Sequence, residues 1–120
     1  MSQRATLAGR RVLVLEGEYF VADDLTRVLN MAGAIVVGPF ATIEAALQAL
    51  AREPGIDLGV LDLNVRGDRS YPVAEALAAR GVPFVFVTGY DSPAIEARWA
   101  ETPRCCKPFD PRQLLRTLAA

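Results

Sequence analysis

The sequence predicts a doubly wound α/β fold built on a parallel five-stranded sheet, and three observations predict it. Short runs rich in Val, Leu and Phe alternate along the chain with segments of helical periodicity. The strand-like runs are apolar throughout, as in strands covered by helices on both faces. Gly, Pro and capping residues punctuate the alternation at regular intervals.

Arg11 to Glu16 (RVLVLE) opens the chain as a strand. Glu18 to Ala32 follows with apolar residues at Val21, Leu25, Val28, Leu29 and Ala32, a helical spacing, and Gly33 stops it. Ala34 to Val37 is a second strand. Thr42 opens a helix that carries Ile43, Ala46, Leu47 and Leu50 on one stripe until Pro54-Gly55 ends it. Asp57 to Leu63 (DLGVLDL) and Pro83 to Thr88 (PFVFVT) read as the third and fourth strands, separated by a loop from Asn64 to Ser70 and a helix from Tyr71 to Arg80 closed by Gly81. Ser92-Pro93 and Asp110-Pro111 each fit an N-cap followed by proline at the first helical position, and so start the last two helices. Arg104 to Cys106 supplies the strand between them. The expectation is five strand–helix units over residues 11–120, preceded by a loose tail over 1–10.

Composition narrows the function. A chain of 120 residues, 52% apolar and 22% charged, suits one globular domain. Thirteen basic against fourteen acidic residues, with no Lys/Arg run, lack the footprint of a nucleic-acid or anionic-membrane binder. No apolar stretch nears the roughly 18 residues that cross a bilayer, and residues 1–10 lack a signal-peptide apolar region, so a cytoplasmic location is expected. Cys105 and Cys106 are neighbours in a strand-like run and should point to opposite faces, which argues against a disulfide. There is no histidine, which excludes Ser-His and Cys-His nucleophile pairs and histidine-bound zinc. Any phosphohistidine involved belongs to another protein.

Ligands of such sheets bind beyond the carboxyl ends of the strands. Those ends carry Glu16 and Glu18 after the first strand, Asp62 late in the third, Thr88 closing the fourth and Lys107 after the fifth. Carboxylates, a hydroxyl and an ammonium from separate segments make a site able to hold a divalent cation and a phosphoryl group. Hard oxygen ligands suit Mg²⁺, which lets an anionic carboxylate approach an anionic phosphate.

The segments VLVLEGE, VLDLN, FVTGY and CCKPF, in this order and spacing, resemble the response-regulator receiver domains from Arg11 onward. The resemblance implies a flavodoxin-like (βα)5 fold with sheet order 2-1-3-4-5. It also implies that Asp62 accepts the phosphoryl group, the Asn64 carbonyl binds the metal, Thr88 is the switch hydroxyl and Lys107 pairs with the phosphate. Lys107-Pro108 is similar to the family's cis peptide bond. PFVFVTGY and VRGDRSYPVAEAL resemble more narrowly the FATGY-type receivers associated with HWE-type histidine kinases. Two positions depart from the family. Gly17 stands where a second acidic residue normally touches the metal, leaving Glu16, Glu18 and water to serve it. Arg104 stands where many receivers carry a switching aromatic.

The expected function is a switch without its own output domain, with at most slow loss of phosphate and so not an enzyme in the metabolic sense. It would be charged by a histidine kinase or phosphotransfer protein and read out by a partner protein or a homodimer through the face of helix four, strand five and helix five. One alternative is a degenerate, phosphorylation-independent interaction module in which Gly17 has removed metal binding. Another is a haloacid-dehalogenase-type phosphatase, which fits worse because Asn64 occupies the position of its general acid. Ile95 and Trp99, spaced i, i+4, read as core more than interface, and Arg66, Asp68 and Arg69 as solvated turn residues around Gly67.

Overall fold

The computed structural model describes residues 6–89 and 95–119. In chain order the elements are β1 (Arg11–Leu15), α1 (Tyr19–Met31), β2 (Ile35–Phe40), α2 (Ile43–Arg52), β3 (Leu58–Asp62), the short pair β4 (Asn64–Val65) and β5 (Asp68–Arg69), α3 (Tyr71–Ala79), β6 (Phe84–Thr88), β7 (Arg104–Cys106) and α4 (Pro111–Ala119). Five strands form one parallel sheet of order β2-β1-β3-β6-β7. Counting only these five in chain order, this is the expected order 2-1-3-4-5. The loop expected over Asn64 to Ser70 contains the antiparallel β4–β5 hairpin.

The apolar runs split by alternation. Val12, Val14, Val60, Val85 and Val87 face α1 and α4 through Leu25, Leu29, Leu114 and Leu118. Leu13, Leu15, Leu61 and Phe86 face the other way, onto Ala46 and Leu50 of α2 and Val73 and Leu77 of α3. Successive strand residues point to opposite faces, so a continuous apolar run loads two cores at once. α2 and α4 start where their caps predict: the Thr42 side chain accepts the Ala45 N–H at 3.2 Å, and Asp110 accepts that of Arg112 at 3.0 Å.

Three expectations change. The tail is not loose over its described part: Leu7 is buried in the α1-side core, and its N–H donates to the Ala32 carbonyl. The second strand runs on through Gly38-Pro39 to Phe40, with a bulge against β1 between Leu13 and Leu15. An edge strand tolerates proline there. Gly38 has φ 113°, and a Cβ on it would stand 2.8 Å from the Phe40 nitrogen and 2.9 Å from the Val14 carbonyl oxygen, so only glycine fits. Gly38-Pro39 and Lys107-Pro108 are both cis, the second as the resemblance implied.

The third change concerns the fourth predicted helix. Its expected start, Ser92-Pro93, lies outside the described residues. Beyond that start, Glu96 is extended (φ −57°, ψ 145°) and only a 3₁₀ turn, Ala97–Trp99, follows. Side-chain contacts hold this arrangement. The Glu96 N–H donates to the Tyr71 hydroxyl at 3.0 Å, Arg98 pairs with Glu75 at 2.6 Å, and Trp99 stacks on Tyr71 with 6.2 Å between ring centroids. Trp99 is buried among Tyr71, Phe84 and Phe86, a core residue as its spacing suggested. Tertiary packing here overrides the local helical pattern.

Candidate functional site

β1, β3, β6 and β7 end together at one edge of the sheet, because parallel register aligns their carboxyl ends. Asp62 pairs in register with Val87, so Thr88 lies one step past it, and Thr88 pairs with Cys106, one residue before Lys107. The Thr88 carbonyl accepts the Lys107 N–H at 2.7 Å, which anchors the lysine at the strand end.

The Lys107 ammonium gathers the carboxylates. Its Nζ stands 3.0 Å from Glu16 Oε1, 3.2 Å from Asp62 Oδ2 and 3.4 Å from Glu18 Oε1. Glu16 and Asp62 are buried, whereas the Glu18 side chain is 69% exposed. Main-chain donors hold the two buried groups: Glu18 N–H donates to Glu16 Oε2 at 3.0 Å, and Asn64 N–H to Asp62 Oδ1 at 3.2 Å. Sequence reasoning thus named every residue of the cluster. It did not foresee that Lys107 would bridge Glu16 and Glu18 as well as Asp62, since the β7 end and the β1–α1 turn are far apart in the chain.

Burial, and after it the adjacent Asp62 carboxylate, push the Glu16 carboxyl up to about 7. For Lys107, burial opposes the charge, but Glu16 and Asp62 outweigh it and raise its pKa above the usual lysine value. Carboxylate oxygens of Glu16, Glu18 and Asp62 all lie within 4.8 Å of one another. An all-oxygen cluster of this size, with one lysine against three carboxylates, fits a hard divalent cation such as Mg²⁺.

Gly17 sits between Glu16 and Glu18 with room for a side chain. A Cβ there would meet Arg66 Cγ and Val65 Cγ1 at 3.6 Å and the Ala41 carbonyl oxygen at 3.8 Å, ordinary contacts. Arg104 is exposed at the start of β7. Cys105 is buried and Cys106 exposed, both as free thiols, in line with opposite-facing strand neighbours. Tyr19 and Phe20, the first residues of α1, are 77% and 81% exposed beside the cluster and meet edge to face. A cleft of about 550 Å³ lies at the opposite edge of the sheet, lined by Gly81, Pro83, Phe84, Trp99 and Pro103, and no residue of the cluster reaches it. Among the described residues no helix is long and apolar enough to cross a membrane.

Comparison with solved structures finds close likenesses. The chain is 36% identical to SdrG from Sphingomonas melonis Fr1, with a TM-score of 0.81, over 98% of this chain and 95% of that one. It is 37% identical to SdrG from Pseudomonas melonis Fr1 in its BeF3-activated conformation, with a TM-score of 0.79, over 94% and 98% of the two chains. The signal receiver domain of a modulated diguanylate cyclase from Desulfovibrio desulfuricans G20 shares the fold at 23% identity and a TM-score of 0.73, over 91% and 90%. No protein-family model and no curated protein matches the chain.

Proposed function

This chain belongs to the response-regulator receiver domains of two-component signalling, and we propose that it takes a phosphoryl group onto Asp62 from a phosphohistidine of another protein. The observation that carries the reading is the Lys107 ammonium, held 3.2 Å from Asp62 and 3.0 Å from Glu16 at the edge where Thr88 also ends its strand. An oxygen of the Asp62 carboxylate attacks phosphorus, the P–O bond forms as the P–N bond to the imidazole breaks, and the ring nitrogen keeps the electron pair. The chain has no histidine, so the donor ring is a partner's.

Lys107 neutralises charge on the transferred group, and Thr88 offers it a hydroxyl donor. The Asn64 N–H orients the accepting carboxylate. Glu16, Glu18 and Asp62, whose oxygens cluster, together with the Asn64 carbonyl that the family resemblance implies, would hold Mg²⁺, which when bound neutralises negative charge on the transferring phosphoryl group. The product is a switch and not a metabolic enzyme. Its donor is a histidine kinase or phosphotransfer protein, and its readout surface, for a protein partner or a second copy, is the face of the Ala97–Trp99 turn, β7 and α4. The PFVFVTGY and VRGDRSYPVAEAL segments resemble those of the FATGY-type receivers, and this resemblance supports a phosphohistidine of an HWE-type kinase as the donor.

Incubation with a small phosphodonor and Mg²⁺ tests the reading. The expected outcome is a mass gain of one phosphoryl group in the wild type and none in Asp62→Asn. If the wild type gains no mass across a wide Mg²⁺ titration, the phosphorylation-independent module suggested by Gly17 replaces it. Rapid multiple turnover of a phosphate monoester would instead mark a phosphatase.

A further inference from the structure

We propose that Arg66 completes the Asp62 site from the tip of the β4–β5 hairpin, acting in the same direction as the absence of a carboxylate at Gly17: it loosens the hold on the divalent cation and tightens the hold on the phosphoryl anion. This rests on the reading of Asp62 as phosphoacceptor.

Position comes first. The stem of Arg66 borders the space over Gly17, its Cγ 3.6 Å from where a Cβ would be, and Gly17 joins the two glutamates that Lys107 binds. Nothing in the backbone or packing requires glycine there, because its φ is ordinary and a Cβ would make only normal contacts. The missing side chain is therefore a matter of charge and reach. An arginine borders the position, and a long flexible stem ends in a forked donor matched to phosphate oxygens.

The backbone supplies the second argument. Val65 pairs with Asp68, so Arg66 and Gly67 are the two central residues of the hairpin turn, with φ 52° and 90°. Two positive φ angles define a type I′ turn, in which Asn or Gly is the easy first residue. Arg66 is the one non-glycine residue with positive φ among those described. Arginine gains nothing from that conformation, and a strained residue beside a reaction site points to a role for its side chain. Like most arginines of the described residues, Arg66 has no carboxylate partner, so its guanidinium is not committed to an ion pair there.

Charge gives the direction. Three carboxylates face one ammonium at the site. Losing an anion at position 17 and gaining a nearby cation both disfavour Mg²⁺ and favour a phosphoryl dianion.

The test uses the intact chain, with Mg²⁺ binding followed by calorimetry and fluoroberyllate binding measured at saturating Mg²⁺. Arg66→Asn installs the residue the turn prefers, so the variant should melt no lower than the wild type. It should bind Mg²⁺ about 3- to 10-fold tighter and fluoroberyllate about 3- to 10-fold weaker, the span expected for one partly screened charge. Arg66→Lys keeps the charge without the fork, so it should leave Mg²⁺ affinity near wild type and restore only part of the fluoroberyllate affinity. Unchanged or weaker Mg²⁺ binding in Arg66→Asn, or unchanged fluoroberyllate binding, overturns the inference alone. Failure of the wild type to bind fluoroberyllate in an Asp62-dependent way overturns the phosphoacceptor reading and this inference with it.

Discussion

Glu16 shows how one buried carboxylate sets a pH dependence. Its pKa is raised in the fold from 4.5 to about 7, so between those values the folded state holds more protons than the unfolded one. Its contribution to stability is therefore complete below about pH 4.5 and lost as pH rises through 7. We expect metal-free protein, unfolded by urea with chelator present, to lose up to about 3 kcal/mol from this group between pH 5 and 8. Glu16→Gln should flatten that slope, and equal slopes in both proteins would refute the assignment. Gly17→Asp adds a carboxylate where neighbours stand no closer than 3.6 Å. It should fold normally and bind Mg²⁺ roughly tenfold tighter, on the order of 1.4 kcal/mol, in the same calorimetric titration. Asp62 and Thr88 were legible in the sequence because each lies at the end of an apolar run, and Lys107 because it follows the short Arg104–Cys106 run that the alternation of elements requires as a strand. The triple contact of Lys107 was not, since residues 16, 62 and 107 meet only when the strands align.

Among the elements, β2 and the segment after β6 carry the lessons. Gly38-Pro39 reads as the end of a strand, yet on an edge beside a bulge it sits within one. Gly38→Ala should lower stability by about 2 kcal/mol or more, because the new Cβ meets backbone atoms at 2.8 and 2.9 Å that cannot move aside cheaply. A denaturation midpoint within error of wild type would contradict this. Thr42→Ala removes the α2 cap and should cost about 1 kcal/mol in the same assay. The Ile95 to Trp99 spacing promised a helix, and the buried half of that promise held: Trp99 is core. The helical half failed because Tyr71 and Glu75 of α3 take the Glu96 N–H and the Arg98 guanidinium, contacts that no local pattern encodes.

Across the whole molecule, the sheet divides the core into two sides. Leu29 packs on the α1 and α4 side and Ile56 on the α2 and α3 side, with no shared cluster. Leu29→Ala should lower stability by about 2–5 kcal/mol and Ile56→Val by about 0.5–1.5 kcal/mol. The double variant should equal their sum within about 0.5 kcal/mol, since the sheet separates the two sites. A larger coupling would mean that the sheet transmits strain between its faces. The candidate site lies at the carboxyl-end edge shared by both sides, and Asp62 there closes β3 where it pairs with β6.

The sequence by itself determined the five strands of the parallel sheet, the helices other than the fourth, and the set of residues at the carboxyl edge. Periodicity and breakers are local, and continuous apolar strands allow few other architectures. The tertiary structure alone decided what those residues do to one another: that Lys107 serves three carboxylates, that burial and Asp62 raise Glu16, that Arg66 borders the gap at Gly17, and that α3 side chains hold the chain after Glu96 out of a longer helix. Each of these depends on atoms brought together from distant parts of the chain, and electrostatic coupling falls with distance in space and not with separation in sequence.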